Sequence, residues 1–417
     1  MCLTAETRFS LWPSNPESNR RRPVNSTSKV MPTYGRVEIS FEKGEGPYLF
    51  DGEDNRYLDF CTGIATASLG HAHPHLVQAL TEQAGKVWHT SNLYRIPGQE
   101  KLAERLVENS FADLVFFCNS GAEASESCIK VARKYHSANG HPERYRIITI
   151  NGAFHGRTLG TLAAGGKPEH LDGFGPVVEG FDHVPAGNID AMKAAVGPET
   201  AAIFVEAVQG EGGVNVMDPN YLKSIRKLCD DEGILLLMDE VQTGMGRTGT
   251  LFAYEWEGVS PDVMGLAKAL GNGMPIGACL ATREAAKGMT PGTHGSTYGG
   301  NPLAVAAANA VLDVMLEDGF FDRVKQITGY LNQKLSGVID AHPDVIESVR
   351  GHGLLIGLKC KVANLELVDA LRAEGVLTVG AADNIVRLIP PLIITEAHVD
   401  EAMAALERAC QALESAS

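Results

Sequence analysis

The sequence has few of the features that mark secreted, membrane-spanning or nucleic-acid-binding proteins. Its eight cysteines are widely scattered and none stands in a CxxC pair, which is typical of reduced thiols in a cytosolic protein rather than of a disulfide framework. No apolar run approaches the ~20 residues that a membrane helix needs. A formal net charge of −15 argues against a basic surface for nucleic acid or anionic lipid. We therefore expect a cytoplasmic globular protein without nucleic-acid or membrane partners.

The N-terminal segment lacks the apolar core of a secretory signal, which is ~7–15 residues long. The first thirty residues are instead polar, rich in Pro, Asn and Ser, and contain three consecutive arginines at 20–22. Arginine and serine are typical of a transit peptide, but Glu6 and Glu17 count against that interpretation. Residues 1–33 are predicted to be a disordered extension, with Met31 as a candidate alternative start.

The length of 417 residues favours one large α/β domain with a smaller companion over a single small core. From Leu114 onward, short apolar runs alternate with amphipathic segments, which predicts a mostly parallel sheet flanked by helices. After Pro302 the pattern changes to long helices followed by α+β structure. We predict an N-terminal segment at 34–70 that joins the small domain, a large domain at 71–300 and a small α+β domain at 301–417.

The stretch from 234 to 272 carries the first candidate site residues. Its opening run, ILLLM, predicts a buried strand that ends at Asp239, and a second apolar run at 263–267 ends just before Lys268. Parallel strands of an α/β sheet bind ligands at their carboxyl ends, so the acid and the amine are predicted to face each other across a cofactor. A lysine is by default a solvated surface group, but a desolvated one loses its proton more easily and becomes a nucleophile.

Two loops that follow predicted strands offer sites for anions or rings. Ser120, Gly121 and Ala122 stand between a strand and a helix, where free amides and a hydroxyl suit a phosphate. An N-capped helix start explains the same residues. Phe154 and Arg157 could supply a stacking ring and a carboxylate clamp, although before context is considered a packed Phe and a solvated Arg are the preferred interpretation.

Glu206 is a third acid placed at a strand end, after the run AAIFV. Buried carboxylates are rare unless they are paired or functional, so Glu206 is a site candidate with a structural ion pair as the alternative. Histidines alternate at 71, 73 and 75. Because no cysteine or acid stands near them in the sequence, they are predicted to be turn residues and no metal site is expected.

Eight motifs follow one another along the chain: NSGAEA, FHGRT, VEAVQGEGG, LLLMDEVQTGMGRTG, AKALGNGMPIG, HGSTYGGNPLA, RGHGLLIGL and VRLIPP. Together they resemble the class III, fold-type-I aminotransferases that use pyridoxal 5′-phosphate (PLP), and most closely the acetylornithine aminotransferase group. The resemblance runs from about Tyr34 to the C-terminus. It implies the fold-type-I architecture, an α/β large domain with a smaller α+β domain.

The resemblance also implies a role for each cofactor-site residue. Lys268 would bind the cofactor covalently and shuttle the proton, and Asp239 would pair with the pyridine nitrogen. Gln242 would hydrogen-bond the phenolic oxygen, and Phe154 would stack on the ring. The phosphate would be held by Ser120, Gly121 and Ala122, joined by Thr297 from the other subunit of a homodimer.

For the substrate, the resemblance assigns Arg157 to the carboxylate that lies remote from the reacting amine. Glu206 would mask Arg387 while an ω-amine is bound, and would then release it to grip the α-carboxylate of 2-oxoglutarate. Departures from the usual family residues include Thr66 and the segment 271–274. They leave the chemistry in place but bear on the acyl end of the substrate pocket.

The implied reaction transfers the ω-amino group of N2-acetylornithine to 2-oxoglutarate in two half-reactions, as in arginine biosynthesis. Other ω-amine donors remain open: ornithine, 4-aminobutyrate, succinylornithine and succinyldiaminopimelate. A PLP aminomutase shares the fold and would turn over one substrate without any keto acid. A PLP-binding protein without catalysis is a third alternative, and the presence of both Lys268 and Asp239 counts against it.

Overall fold

The computed structural model describes residues 28–256 and 258–416. Contacts within the chain divide it into two units, Met1–Phe41 and Glu42–Ser417. In the first unit the described residues are exposed, apart from the half-buried Ile39. Most of the predicted extension lies outside the described residues, so its disorder stays a prediction. The site residues discussed below all belong to the second unit.

The strands of the described residues form four sheets. In chain order they are β1 Phe41–Glu45, β2 Tyr48–Asp51, β3 Arg56–Asp59, β4 Leu114–Cys118, β5 Arg146–Ile150, β6 Phe181–Val184, β7 Thr200–Val205, β8 Val208–Gln209, β9 Asn215–Val216, β10 Leu235–Asp239, β11 Val263–Leu266, β12 Gly277–Ala281, β13 Ile346–His352, β14 Leu355–Cys360, β15 Val376–Leu377, β16 Val379–Ala381 and β17 Ile385–Leu388.

The helices alternate with the strands through the middle of the chain and dominate its last third. They are α1 Thr62–Ala65, α2 Pro74–Ala84, α3 Pro97–Glu108, α4 Gly121–Ala138, α5 Leu159–Gly165, α6 Pro168–Leu171, α7 Ile189–Ala195, α8 Pro219–Glu232, α9 Pro302–Met315, α10 Phe320–Ala341, α11 Asn364–Ala373 and α12 Glu396–Ala416, with short 3-10 turns at Ala253–Trp256, Lys268–Leu270 and Ala285–Gly288. Among the described residues, no helix combines the length and the apolar character needed to span a bilayer.

The central sheet has seven strands in the order β4-β12-β11-β10-β7-β5-β6. Strand β10 runs parallel to β11 and β7, and β5 runs parallel to β7 and β6. Only β12 opposes its neighbours β4 and β11, so the predicted mostly parallel sheet is confirmed. Every residue of β7, β10 and β11 is buried, as expected for a sheet covered on both faces. The carboxyl ends of these strands therefore meet at one edge.

A second sheet, with the order β13-β14-β17-β16, is antiparallel and lies in the C-terminal part of the chain. Strand β17 carries Arg387, which lies opposite Gly357 of β14 and Val379 of β16 in the sheet register. Strands β2 and β3 form an antiparallel hairpin. Strand β15 pairs in parallel with β3, which ties this hairpin to the C-terminal part of the sequence.

Local sequence signals account for the ends of some helices. Helix α8 begins after Asp218, whose side chain accepts the amide hydrogen of Asn220, and ends at Gly233 with a left-handed φ of 62°. Helix α2 ends at Ala84, directly before Gly85. Strands β6 and β13 have the sequences FDHV and IESVRGH, which contain no continuous apolar run and so do not stand out in the sequence.

Candidate active site

A cavity of about 450 Å³ opens at the carboxyl edge of the central sheet. Strand β10 delivers Asp239 to it, the residues after β11 deliver Lys268, and the residue after β7 is Glu206. The loop after β4 adds the start of α4, and the loop after β5 adds Phe154 and Arg157. Five strand ends thus bring together residues that are far apart in the sequence, as parallel α/β sheets do at their ligand sites.

Lys268 is the first residue of the 3-10 turn that follows Ala267, and its backbone has an uncommon left-handed φ of 45°. Left-handed φ values are costly for residues other than glycine and often persist at functional sites. Burial lowers the pKa of the Lys268 amine to about 8, although the carboxylate of Glu211 opposes the shift. A sizeable fraction of the amine is therefore neutral near pH 8, which is the form that attacks a carbonyl carbon.

Asp239 is buried and its carboxylate is oriented from two sides. The Nδ1 atom of His155 donates to Oδ2 at 2.8 Å, and the amide of Val241 donates to Oδ1 at 3.0 Å. The His155 ring in turn lies flat on Phe204, with ring centroids 4.0 Å apart. Sequence reasoning missed His155, although it stands inside the FHGRT motif that contributed Phe154. Its role here is to fix a carboxylate that points into the cavity.

The start of α4 forms a cradle for an anion. The hydroxyl of Ser120 caps the helix by accepting the amide of Glu123 at 3.3 Å. A Cβ atom added at Gly121 would lie 2.7 Å from Cγ1 of Val241, so glycine is required for this close approach. The first amides of an α-helix have no intrahelical acceptor, and α4 is 18 residues long. Ser120, Gly121 and Ala122 therefore suit a phosphate group.

A buried arginine lies beside the cavity and is already paired. Arg387 is 1% exposed and forms a bidentate ion pair with Glu211. The distances are 2.6 Å between Nη1 and Oε1 and 3.0 Å between Nη2 and Oε2. Its Nη1 also donates to Oε1 of Gln242 at 3.3 Å. Burial would raise the pKa of Glu211, but the guanidinium of Arg387 outweighs it and lowers that pKa. Glu211 therefore carries a charge that neutralises Arg387.

This pairing corrects the expectation that Glu206 masks Arg387. The carboxylate of Glu206 instead accepts the amide of Phe154 at 3.1 Å. Burial, reinforced by the neighbouring Asp239 carboxylate, raises the pKa of Glu206 well above its usual value. A carboxyl group that favours its neutral form is a poor counter-ion. Glu211, five residues further on in the QGEGG loop, reaches the arginine that Glu206 does not, and sequence reasoning missed it.

Comparison with known protein families gives a match over almost the whole chain, including the residues that line the cavity. A family model described as "Aminotransferase class-III" matches residues 30–410. The chain belongs to the class-III aminotransferases. Acetylornithine aminotransferase 1 of Bradyrhizobium diazoefficiens is 61% identical to it over 386 residues, which are 93% of this chain and 95% of that protein.

Solved structures of aminotransferases share the fold. The ornithine aminotransferase of Toxoplasma gondii, whose active site is partially occupied by PLP, gives a TM-score of 0.89 at 33% identity and covers 93% of both chains. The N-acetylornithine aminotransferase of Stenotrophomonas maltophilia gives a TM-score of 0.81 at 37% identity, with 92% of this chain and 98% of that chain covered. The expected type-I fold of PLP-dependent aminotransferases is therefore confirmed.

The remaining predicted site residues of this aminotransferase are placed as follows. Arg157 is exposed at the mouth of the cavity, and its guanidinium lies 5.7 Å from the ring centre of Phe154. Thr297 lies on an exposed loop. The Oγ atom of the neighbouring Ser296 accepts a hydrogen bond from Nδ2 of Asn119 at 3.1 Å. Whether Thr297 serves a second subunit stays a prediction.

The alternating histidines do not act as one group. His71 contacts Asp59 at 2.8 Å, and His75 contacts Asp313 at 2.9 Å. Asp59 is the last residue of β3, 12 residues before His71, and Asp313 belongs to α9, 238 residues after His75. His71 and His75 thus each have an acidic partner of their own, whereas the Nδ1 atom of His73 is buried without a hydrogen bond.

Proposed function

We propose that the protein is a PLP-dependent aminotransferase that moves the ω-amino group of N2-acetylornithine to 2-oxoglutarate, giving N-acetylglutamate 5-semialdehyde and glutamate. The observation that carries the proposal is the masked arginine: Arg387 lies beside the cavity that holds Lys268, neutralised by Glu211. An arginine that can be masked and exposed suits an enzyme whose two substrates differ in the carboxylate next to the reacting carbon. The near-full-length similarity to an enzyme named acetylornithine aminotransferase supports the donor.

PLP supplies an electron sink for the carbon that carries the amine. Lys268 would hold it covalently and then, as a neutral amine, move a proton at that carbon. Asp239, kept in place by His155, would accept a hydrogen bond from the pyridine nitrogen and keep it protonated. Gln242 would reach the phenolic oxygen and Phe154 would cover the ring. The phosphate would be held by Ser120, Gly121 and Ala122.

The two carboxylates of the substrates would be bound at different places. Arg157, at the cavity mouth, would hold the carboxylate that is remote from the reacting amine. Arg387 would stay paired with Glu211 while the donor is bound, because the donor has no carboxylate beside its ω-carbon. When 2-oxoglutarate enters, its α-carboxylate would replace that of Glu211. Glu206, in its neutral form, would line the cavity between Phe154 and Asp239.

Three further features belong to the proposal. The enzyme acts as a homodimer in which Thr297 completes the phosphate site of the other subunit. The chain divides into the segment 34–70, a large domain at 71–300 and a small domain at 301–417, with the substrate arginine Arg387 in the last. The protein works in the cytoplasm.

A donor panel tests the proposal. The holoenzyme is mixed with 2-oxoglutarate and one donor at a time, and glutamate formation is measured for N2-acetylornithine, ornithine, 4-aminobutyrate, succinylornithine and succinyldiaminopimelate. We expect N2-acetylornithine to give the highest kcat/KM, and Lys268→Ala to abolish turnover. A better rate with another donor would refute the choice of donor, and turnover without any keto acid would indicate an aminomutase.

A further inference from the structure

His170 contacts the guanidinium group that faces the cavity mouth. It lies on the short helix α6, and its Nε2 is 3.1 Å from Nη2 of Arg157. A guanidinium has donors and no acceptor, so Nε2 must accept this hydrogen bond. The His170 ring is therefore neutral in this arrangement and carries its proton on Nδ1.

The same imidazole also packs against the aromatic ring of the site. Its centroid lies 6.1 Å from that of Phe154, and the two planes meet at 87°, an edge-to-face geometry that aromatic pairs prefer. Arg157 lies over the same Phe154 ring at 5.7 Å. Phe154, Arg157 and His170 thus form a closed group of three contacts. A long exposed arginine side chain gains a defined direction from such a group, which it would not have alone.

We propose that His170 is a positioning residue that aims the guanidinium of Arg157 at the carboxylate of the amino donor. The inference rests on the proposed function, in which Arg157 binds the carboxylate remote from the reacting amine. His170 acts through Arg157 and not on the reacting atoms. Its effect is therefore on the affinity for the donor, while the proton transfers at Lys268 continue unchanged.

The charges around His170 make this arrangement depend on pH. Burial lowers its pKa, and so do the cations of Arg157 and Lys167, whereas the carboxylates of Glu169 and Glu211 act in the opposite direction. The neutral ring accepts the hydrogen bond at neutral and alkaline pH. Protonation at acidic pH removes the acceptor and places a second cation beside Arg157. The donor's KM should therefore rise as the pH falls through the pKa of His170.

The experiment measures kcat and KM of the holoenzyme for N2-acetylornithine between pH 5.5 and 8.5 at saturating 2-oxoglutarate. His170→Ala should raise KM about tenfold at pH 8, the size expected for losing one hydrogen bond to a charged group at a partly exposed site, with little change in kcat. His170→Gln places an oxygen acceptor near the position of Nε2. It should restore a low KM and remove its rise at acidic pH. His141→Ala changes an exposed histidine that contacts Glu143 and serves as the matched control.

Two results would overturn the inference. One is a KM for His170→Ala equal to that of the wild type, with the same pH profile. Another is a lower kcat or melting temperature with an unchanged KM, which would give His170 a purely structural role. The wild-type rate with N2-acetylornithine reports separately on the proposed function. If another carboxylate-bearing donor is preferred, the ratio of variant to wild-type KM for that donor still decides the role of His170.

Discussion

Removing the charge of Glu211 tests whether it competes with the substrate for Arg387. The two side chains share a bidentate pair in which Arg387 is 1% exposed and Glu211 is 26% exposed. The variant Glu211→Gln keeps the length of the side chain and abolishes its negative charge. We expect 2-oxoglutarate to bind more tightly, because its α-carboxylate no longer has to displace a charged group from the arginine.

The size of the effect follows from the cost of opening the pair. Exposed ion pairs contribute about 0–1 kcal/mol, whereas breaking a fully buried one costs about 3–5 kcal/mol. The partial exposure of Glu211 places this pair between the two, at about 1.5–2 kcal/mol. Because about 1.4 kcal/mol corresponds to a factor of ten in a binding constant, the apparent dissociation constant for 2-oxoglutarate should fall about ten- to thirtyfold. The wild type is expected to bind 2-oxoglutarate less tightly than Glu211→Gln, because part of its binding free energy is used to open the pair between Glu211 and Arg387.

The assay separates the two half-reactions. Cofactor absorbance is followed by stopped flow after the amino form of the holoenzyme is mixed with 2-oxoglutarate at rising concentrations, and the concentration at half the maximal rate is compared between proteins. The donor half-reaction is measured in the same way. Glu366→Gln changes an exposed residue of α11 and serves as the control. An unchanged or higher half-saturating concentration for Glu211→Gln would refute the competition between Glu211 and the substrate.

Three further predictions concern titration and stability. Since burial lowers the pKa of Lys268 to about 8, the rate of PLP rebinding to cofactor-free protein should rise with pH and level off above about 8; a plateau already at pH 7 would contradict this. Burial raises the pKa of Glu240 to about 7, so the folded protein holds a proton that the unfolded chain releases. The free energy of unfolding should fall by about 2–3 kcal/mol from pH 5 to pH 7, and Glu240→Gln should remove most of this fall in urea unfolding. Arg247→Ala should lower the free energy of unfolding by about 2–6 kcal/mol in the same assay, because it leaves the buried carbonyls of Leu354 and Pro390 without their donor and each unsatisfied buried group costs about 1–3 kcal/mol.

The parts of the site that stand at strand ends could be predicted from the sequence. The runs that became β10 and β11 are apolar throughout and buried on both faces, which a single sequence shows directly. Once two neighbouring strands are parallel, their carboxyl ends must coincide. Asp239 and Lys268 therefore share a cavity for reasons of local pattern and sheet direction alone.

The partner of Arg387 could not be predicted in the same way. Glu206 and Glu211 stand five residues apart in the same segment, and both are 176 residues or more from the arginine. Which of them reaches it depends on how the QGEGG loop turns after β7. A Cβ atom added at Gly210 would lie 1.9 Å from Oε1 of Gln242, so a side chain at this position would displace the amide group of Gln242 from the loop. That close approach is a property of packing.

The contact between His155 and Asp239 also could not be predicted from the sequence, for a different reason. The motif FHGRT was recognised as a site segment, but no periodic pattern indicates that its histidine points inward to Asp239 rather than outward. The stacking on Phe204 and the 2.8 Å hydrogen bond depend on β5, β7 and β10 being neighbours in the sheet. Sheet order is a tertiary property, so only the assembled fold assigns this residue to the aspartate.

The carboxyl groups in and next to the site differ in protonation because their surroundings differ. Glu206 and Glu240 lie where burial favours their neutral forms, whereas Glu211 lies against a guanidinium that keeps it charged. Glu206 and Glu240 directly follow β7 and β10, whereas Glu211 is carried by a glycine-rich loop. In the proposed function Glu211 leaves Arg387 when 2-oxoglutarate binds, and its 26% exposure allows water to solvate the released carboxylate. We therefore expect substitutions in the QGEGG loop to alter the preference between substrates without displacing Asp239 and Lys268 at the strand ends.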